Sequence, residues 1–121
     1  MIDIATARKL ALSFDGAVEL PHFELTSFRI NKKIFATLDI KKRRVCLLLS
    51  LIDQSVFCEF DQSIIYPVPN NWGKKGATYV ELYKVRKDIF RDALTTAYCR
   101  VAPNKLAGQY QAKSEGNSYG K

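Results

Sequence analysis

The residues best equipped for chemistry in this chain are cations crowded into expected chain reversals. Between Arg29 and Arg44 lie seven Lys or Arg against one Asp, a net charge of +6, while the whole chain carries +7 with His neutral. The rest of the sequence is therefore nearly balanced. Lys32 and Lys33 fall at one expected turn, Lys41, Lys42, Arg43 and Arg44 at a second, and Lys74 and Lys75 at the tip of a third. Arg29 lies in the segment leading into the first. Cations on separate protruding loops, expected to converge on one shared rim, suit phosphates, and such contacts give salt-dependent affinity with little reading of base sequence. These nine side chains are the candidate nucleic-acid contacts. The plainer alternative is a set of solvated basic turns, since a pI near 9.4 speaks first to solubility and nonspecific attraction.

Other constellations are thinner. Phe28, Phe35, Trp72, Tyr79 and Tyr83 interleave with the cations, which suits stacking on unpaired bases or, more simply, core and cross-strand ring pairs. The run Gly73-Lys74-Lys75-Gly76 could wrap an anion with its backbone. His22, the one histidine, lacks a Cys, His or carboxylate at ligand or triad spacing, so a structural role beside Pro21 is expected. Cys46, Cys58 and Cys99 are odd in number, far apart and outside any C-x-x-C pair, which reads as buried structural thiols with no disulfide framework or metal site. No G-x-S-x-G, P-loop or G-x-G-x-x-G is present, so no catalytic residue and no cofactor is assigned. Two alternatives to nucleic-acid binding stand beside it. One is a protein-interaction or stress-related accessory module with an apolar contact surface of Leu48, Tyr79 and Tyr83; the other is a small ligand held in a pocket by His22 and Trp72.

A chain of 121 residues suits one domain with one core. No apolar run approaches the roughly 18 residues that cross a bilayer, so no membrane association is expected. MIDIATARKLALSF reads as structure and not as a signal peptide. A cytoplasmic monomer is the expectation.

Positioning of the cations falls to short elements. Asp3 can cap a helix with Ile4, Ala7, Leu10, Ala11 and Phe14 on its stripe, ended by Asp15-Gly16. Val18 and Leu20 alternate as a strand that Pro21 pins to a sheet edge or bend. The stretch from Ser27 to Ser50 predicts three antiparallel strands, with turns at Asn31-Lys32 and from Asp39 to Arg43. Ser50 with Asp53 caps a second helix whose expected inner face is Ile52, Val56, Phe57 and Phe60. A loop from Pro67 and a glycine-bracketed turn from Trp72 to Gly76 precede a last strand, Ala77 to Tyr83. Arg86 to Val101 gives the widest apolar stripe, stopped by Pro103.

In order, TARKLALSF, ELPHF, TSFRINKKIFATLD, RVCLLLS, YPVPNNWGKKGATYVEL and VRKDIFRDALTTAYCRVAPNKLA resemble the MmcQ/YjbR-like family of small bacterial proteins. The likeness runs nearly to Ala107. It implies an α+β fold like the double-wing motif, a curved antiparallel sheet of five or six strands with the N- and C-terminal helices packed on one face. It also implies DNA binding, by fold analogy. This chain departs from the family's usual pattern with Lys32 where Gly is frequent, Leu48 where Lys is, and Ala77 where Trp is. A single domain over residues 1–107 is expected, with 108–121 a disordered tail because that segment has no apolar period.

Overall fold

The Asp3 carboxylate accepts the Thr6 backbone N–H at 2.7 Å, pairing one of the donors that a helix start leaves open. The helix it begins, α1 (Ile4–Leu12), turns Ala7 and Ala11 inward ahead of Phe14. In the computed structural model, residues 1–116 are described, with side chains as far as 110. After α1 come β1 (Val18–His22), β2 (Leu25–Ile30), β3 (Lys33–Asp39), β4 (Arg44–Leu48), α2 (Leu51–Cys58), β5 (Ile65–Pro67), α3 (Asn71–Lys74), β6 (Ala77–Glu81), α4 (Lys87–Val101) and α5 (Asn104–Gly116).

The six strands form one antiparallel sheet in the order β1-β2-β3-β4-β6-β5. The expected α+β architecture is the observed one, at the upper strand count. Strand alternation sends Phe28, Ile30, Leu38, Val45, Leu47, Val80 and Leu82 to one side, where they share a core with Ile89, Phe90, Ala93, Leu94, Ala97 and Tyr98 of α4. Pro21 and Pro67 lie in the two outer strands, the places in a sheet that tolerate a residue with no N–H to donate. The loop expected from Pro67 therefore starts one residue later.

One irregularity sets the two faces. Phe28 pairs with Ala36 but Arg29 pairs with Ile34, so Phe35 is an extra residue in β3. A bulge of this kind puts two successive side chains on one side. Phe35 and Ala36 are both fully buried, and Phe35 meets Phe14 at 6.0 Å and Tyr98 at 5.5 Å, both edge-on. The expected alternation of Ile34, Ala36 and Leu38 on one face holds only past the bulge. Ile34 goes to the face that the helices leave bare.

α2 is rotated from the expected setting. Its buried residues are Gln54, Phe57 and Cys58, whereas Ile52 is 77% and Val56 48% exposed and Phe60 also lies at the surface. The reason is polar. The buried Gln54 amide shares its two N–H groups among Gly73 O at 2.9 Å, Ala77 O at 3.1 Å and Thr78 Oγ1 at 3.1 Å, and leaving that buried amide unpaired would cost about 1–3 kcal/mol. The expected cap does form, with Ser50 Oγ accepting the Asp53 N–H.

The end of the chain also differs from expectation. α5 runs through Gly108, where a disordered tail was expected, and Tyr110 packs its ring 5.1 Å from Phe14 and 5.3 Å from Tyr98. The Asp15 backbone N–H donates to its hydroxyl. These tertiary contacts hold a segment whose own pattern is not amphipathic. The remainder of the expected tail, 117–121, lies outside the described residues.

Two outcomes test this core. Phe57→Ala should cost about 3–5 kcal/mol of unfolding free energy, while Ile52→Lys should stay within about 0.5 kcal/mol, both by urea titration. Burial first, and then the neighbouring Tyr110 and Asp15, push the Tyr98 phenol up to about 12. The native state therefore holds this proton after the unfolded chain has released it. Stability should be intact below pH 10 and decline from there towards pH 12, and Tyr98→Phe should flatten that decline in a pH series of melts.

Candidate nucleic-acid interface

Cross-strand pairing places Leu20, Ser27, Thr37, Cys46, Tyr79 and Tyr66 in one row across the bare face of the sheet. An open cleft of about 400 Å³ lies over this face. His22, Leu25, Ile34, Thr37, Cys46 and Leu48 line it with Tyr79, and the segment after β5 closes one side with Val68, Asn70 and Trp72. His22 and Trp72, far apart in sequence, are thus brought to one hollow. Leu48 and Tyr79 join them there, whereas Tyr83 lies beyond the end of β6 with the Lys84 ammonium 5.5 Å from its ring. Phe28 and Phe35 are core residues. Of the five interleaved aromatics, Trp72 and Tyr79 reach the cleft.

The nine cations divide between the two ends of the sheet. β3 begins at Lys33 and ends at Asp39, so the Asn31-Lys32 turn and the turn from Ile40 to Arg43 stand about 20 Å apart. β6 starts at the end where β3 also starts, which puts Lys74 and Lys75 near the Lys32–Lys33 end, two strands over. Arg29, one residue before the end of β2, belongs with that group. Lys41, Lys42 and Arg43 occupy the opposite end with Arg44, which is not a turn residue but the first of β4. The cations therefore do not converge on one shared rim as expected, because the reversals of an antiparallel sheet alternate between its ends; they form two basic ends flanking a bare face. Arg8–Glu19 and Arg86–Asp88 form ion pairs, and neither contains any of the nine.

Two guanidiniums are fixed against the face itself. Arg29 Nε donates to Ser27 Oγ at 2.8 Å. Arg44 lies over the Tyr79 ring with its central carbon 3.8 Å from the centroid, a cation–π contact. Its buried Nε has no hydrogen-bond partner among the described residues. Beside it the Tyr66 hydroxyl donates to the Glu81 carboxylate; burial, then that carboxylate, raise the Tyr66 phenol above its usual value. Burial likewise pushes the Cys46 thiol up, against smaller opposing effects of Thr78, Arg44 and Thr37. Cys58 and Cys99 are raised by burial too. A thiol that ionises less readily is a poor nucleophile; Cys58 is buried as expected, whereas Cys46 and Cys99 are half-buried.

The glycine-bracketed run is not an anion cradle. Residues 71–74 form α3, capped by Asn70, whose side chain accepts the Trp72 N–H at 2.8 Å. The N–H groups of Gly73, Lys74, Lys75 and Gly76 all donate within the turn, so none is left for a ligand. The glycines serve close approach instead: a Cβ on Gly73 would lie 1.8 Å from Val68 O, and one on Gly76 1.8 Å from Leu49 O. Sequence reasoning missed Gln54, which ties α3 and the start of β6 to α2 and so sets where Trp72 stands. A glutamine inside an apolar helix was the available signal. No group of three or more His, Cys, Asp or Glu among the described residues could hold a metal ion, and no described helix is long and apolar enough to cross a membrane.

The crystal structure of Deinococcus radiodurans protein DR2400, a DUF419 domain, has the same fold. It superposes with a TM-score of 0.72 at 17% sequence identity, covering 96% of this chain and 88% of that one. At that identity the likeness concerns the fold. No family model and no curated protein matches the sequence.

The first hairpin turn is of the primed type, with φ of 49° at Asn31 and 69° at Lys32. The strain that glycine would avoid is therefore tolerated here. Lys32→Gly should raise stability by about 1 kcal/mol in chemical denaturation, while removing one cation from that end of the sheet.

Proposed function

We propose that the chain is an MmcQ/YjbR-like protein and that it binds a polyanion, duplex DNA, by its phosphate backbone and without catalysis. The observation that carries this reading is the arrangement of Arg29, Lys32, Lys33, Lys41, Lys42, Arg43, Arg44, Lys74 and Lys75 at both ends of the sheet face away from α4; none of them belongs to the ion pairs Arg8–Glu19 and Arg86–Asp88, and Arg44 stands opposite Asp39 and Glu81. Unpaired cations on a surface release counterions when they meet phosphate, and that release drives association. Support for the family comes from the six motifs in order and from the fold shared with a DUF419 domain. The two basic ends would touch separate stretches of backbone, which fixes orientation on the duplex and reads little sequence.

The test is a titration of labelled duplexes of unrelated sequence at several salt concentrations. Lys41→Ala with Lys42→Ala and Arg43→Gly removes one end; Arg43 has φ of 53°, so glycine there relieves the backbone. Affinity should fall equally for all sequences, and the slope of log affinity against log salt should flatten by about 0.9 for each phosphate no longer neutralised. Unchanged affinity and slope would reduce the tetrad to a solvated turn.

A further inference from the structure

The cleft between the two basic ends is chemically unlike them. Its walls are rings and aliphatic side chains: Trp72, Tyr79 and His22 with Leu25, Ile34, Leu48 and Val68. Phosphate has no reason to enter such a surface, and a regular duplex presents mainly phosphate and sugar there while its base faces stay stacked inside. Two of the rings, however, have a cation against them. Arg44 lies 3.8 Å from the Tyr79 centroid, and the Lys75 ammonium lies 5.6 Å from that of Trp72. Trp72 is 66% exposed, although an indole is costly to leave in water. An occupant that satisfies both halves of this pattern needs a flat apolar face and a negative charge a few ångströms away. An unpaired nucleotide has both, because base faces stack on aromatic rings and guanidinium planes while the strand's phosphates meet the neighbouring cations.

We propose that this cleft seats unpaired bases of a single strand, stacked on Trp72 and packed against Tyr79, one ring face of which is already covered by Arg44, with the phosphate beside Trp72 against Lys75. The inference rests on the polyanion reading above, keeps its phosphate contacts, and makes a single strand, in place of the duplex, the tighter ligand of this face. Thr37, Asn70 and His22 bring a hydroxyl, an amide and an imidazole to the same hollow, enough to touch base edges without a fixed sequence code. Gln54 acts as a positioning residue, since its bonds to Gly73 O and Ala77 O hold the segment that carries Trp72.

Trp72 is the single tryptophan of the chain, so its fluorescence reports on the cleft directly. The full chain should be titrated with an oligothymidylate and, separately, with a duplex of equal length. The single strand is expected to quench the indole and to bind more tightly than the duplex. Trp72→Ala and Tyr79→Ala, followed by anisotropy of labelled strands, should each lower single-strand affinity by about 5- to 150-fold, the range of one base–aromatic stack. Duplex affinity should change less than about twofold, and Trp72→Phe should restore single-strand binding. Because Trp72 is exposed, its replacement leaves the fold in place even if the Tyr79 variant does not. Equal quenching by both oligomers, or variants that weaken both alike or neither, would overturn base stacking and leave the polyanion reading standing. Failure of both oligomers to bind would remove the two together.

Discussion

The extra residue at Phe35 governs what the rest of the sheet can do. With Phe35 and Ala36 both directed to the helices, β3 gives α1 and α4 a ring to close on, and Phe14, Tyr98 and Tyr110 complete the aromatic cluster around it. The same irregularity reverses Ile34, which then faces the bare side alongside Leu48 and Tyr79. Sheets without helices on one face usually solvate it with polar side chains. Here that face holds an apolar cleft. The core and the candidate interface are two results of one local departure from a period of two.

Antiparallel connectivity then decides where charge can go. Successive reversals of a meander alternate between opposite ends of a sheet, so the basic turns at Lys32 and at Lys41 could not meet, however alike their composition. What the chain achieves instead is a flank at each end, with Lys74 and Lys75 added to the first by the segment before β6. Arg29 in β2 and Arg44 in β4 lie on the face between them and are held there by Ser27 and Tyr79. Their geometry is set by these contacts, as that of Lys75 is by the Trp72 ring.

Much of this was legible in residue order. Asp3 and Ser50 announced their helices through capping, the Asn31-Lys32 pair announced a hairpin, and the stripe from Ile89 to Tyr98 announced a helix lying on a sheet. Local periodicity was enough there, because burial followed it. It failed in α2, where Ile52, Val56 and Phe60 have helical spacing yet the helix turns on Gln54, whose three acceptors come from residues 19 to 24 positions away. It failed again at α5, since Tyr110 gains its place only from Phe14, Asp15 and Tyr98. The cleft was hidden for a related reason: His22 and Trp72 are separated by four strands' worth of chain, and no short motif records that they share a hollow.

The prolines of the two outer strands bear on how this sheet ends. β1 closes one border with Pro21 and β5 the other with Pro67. A border strand with an uninterrupted row of amide hydrogens is a template on which a further chain can add itself. Each border here is missing a donor part-way along or at its tip, and β5 offers three residues in all. The sheet is thus finished at both margins, and sideways growth into a shared ladder is blunted by two rings that cannot donate.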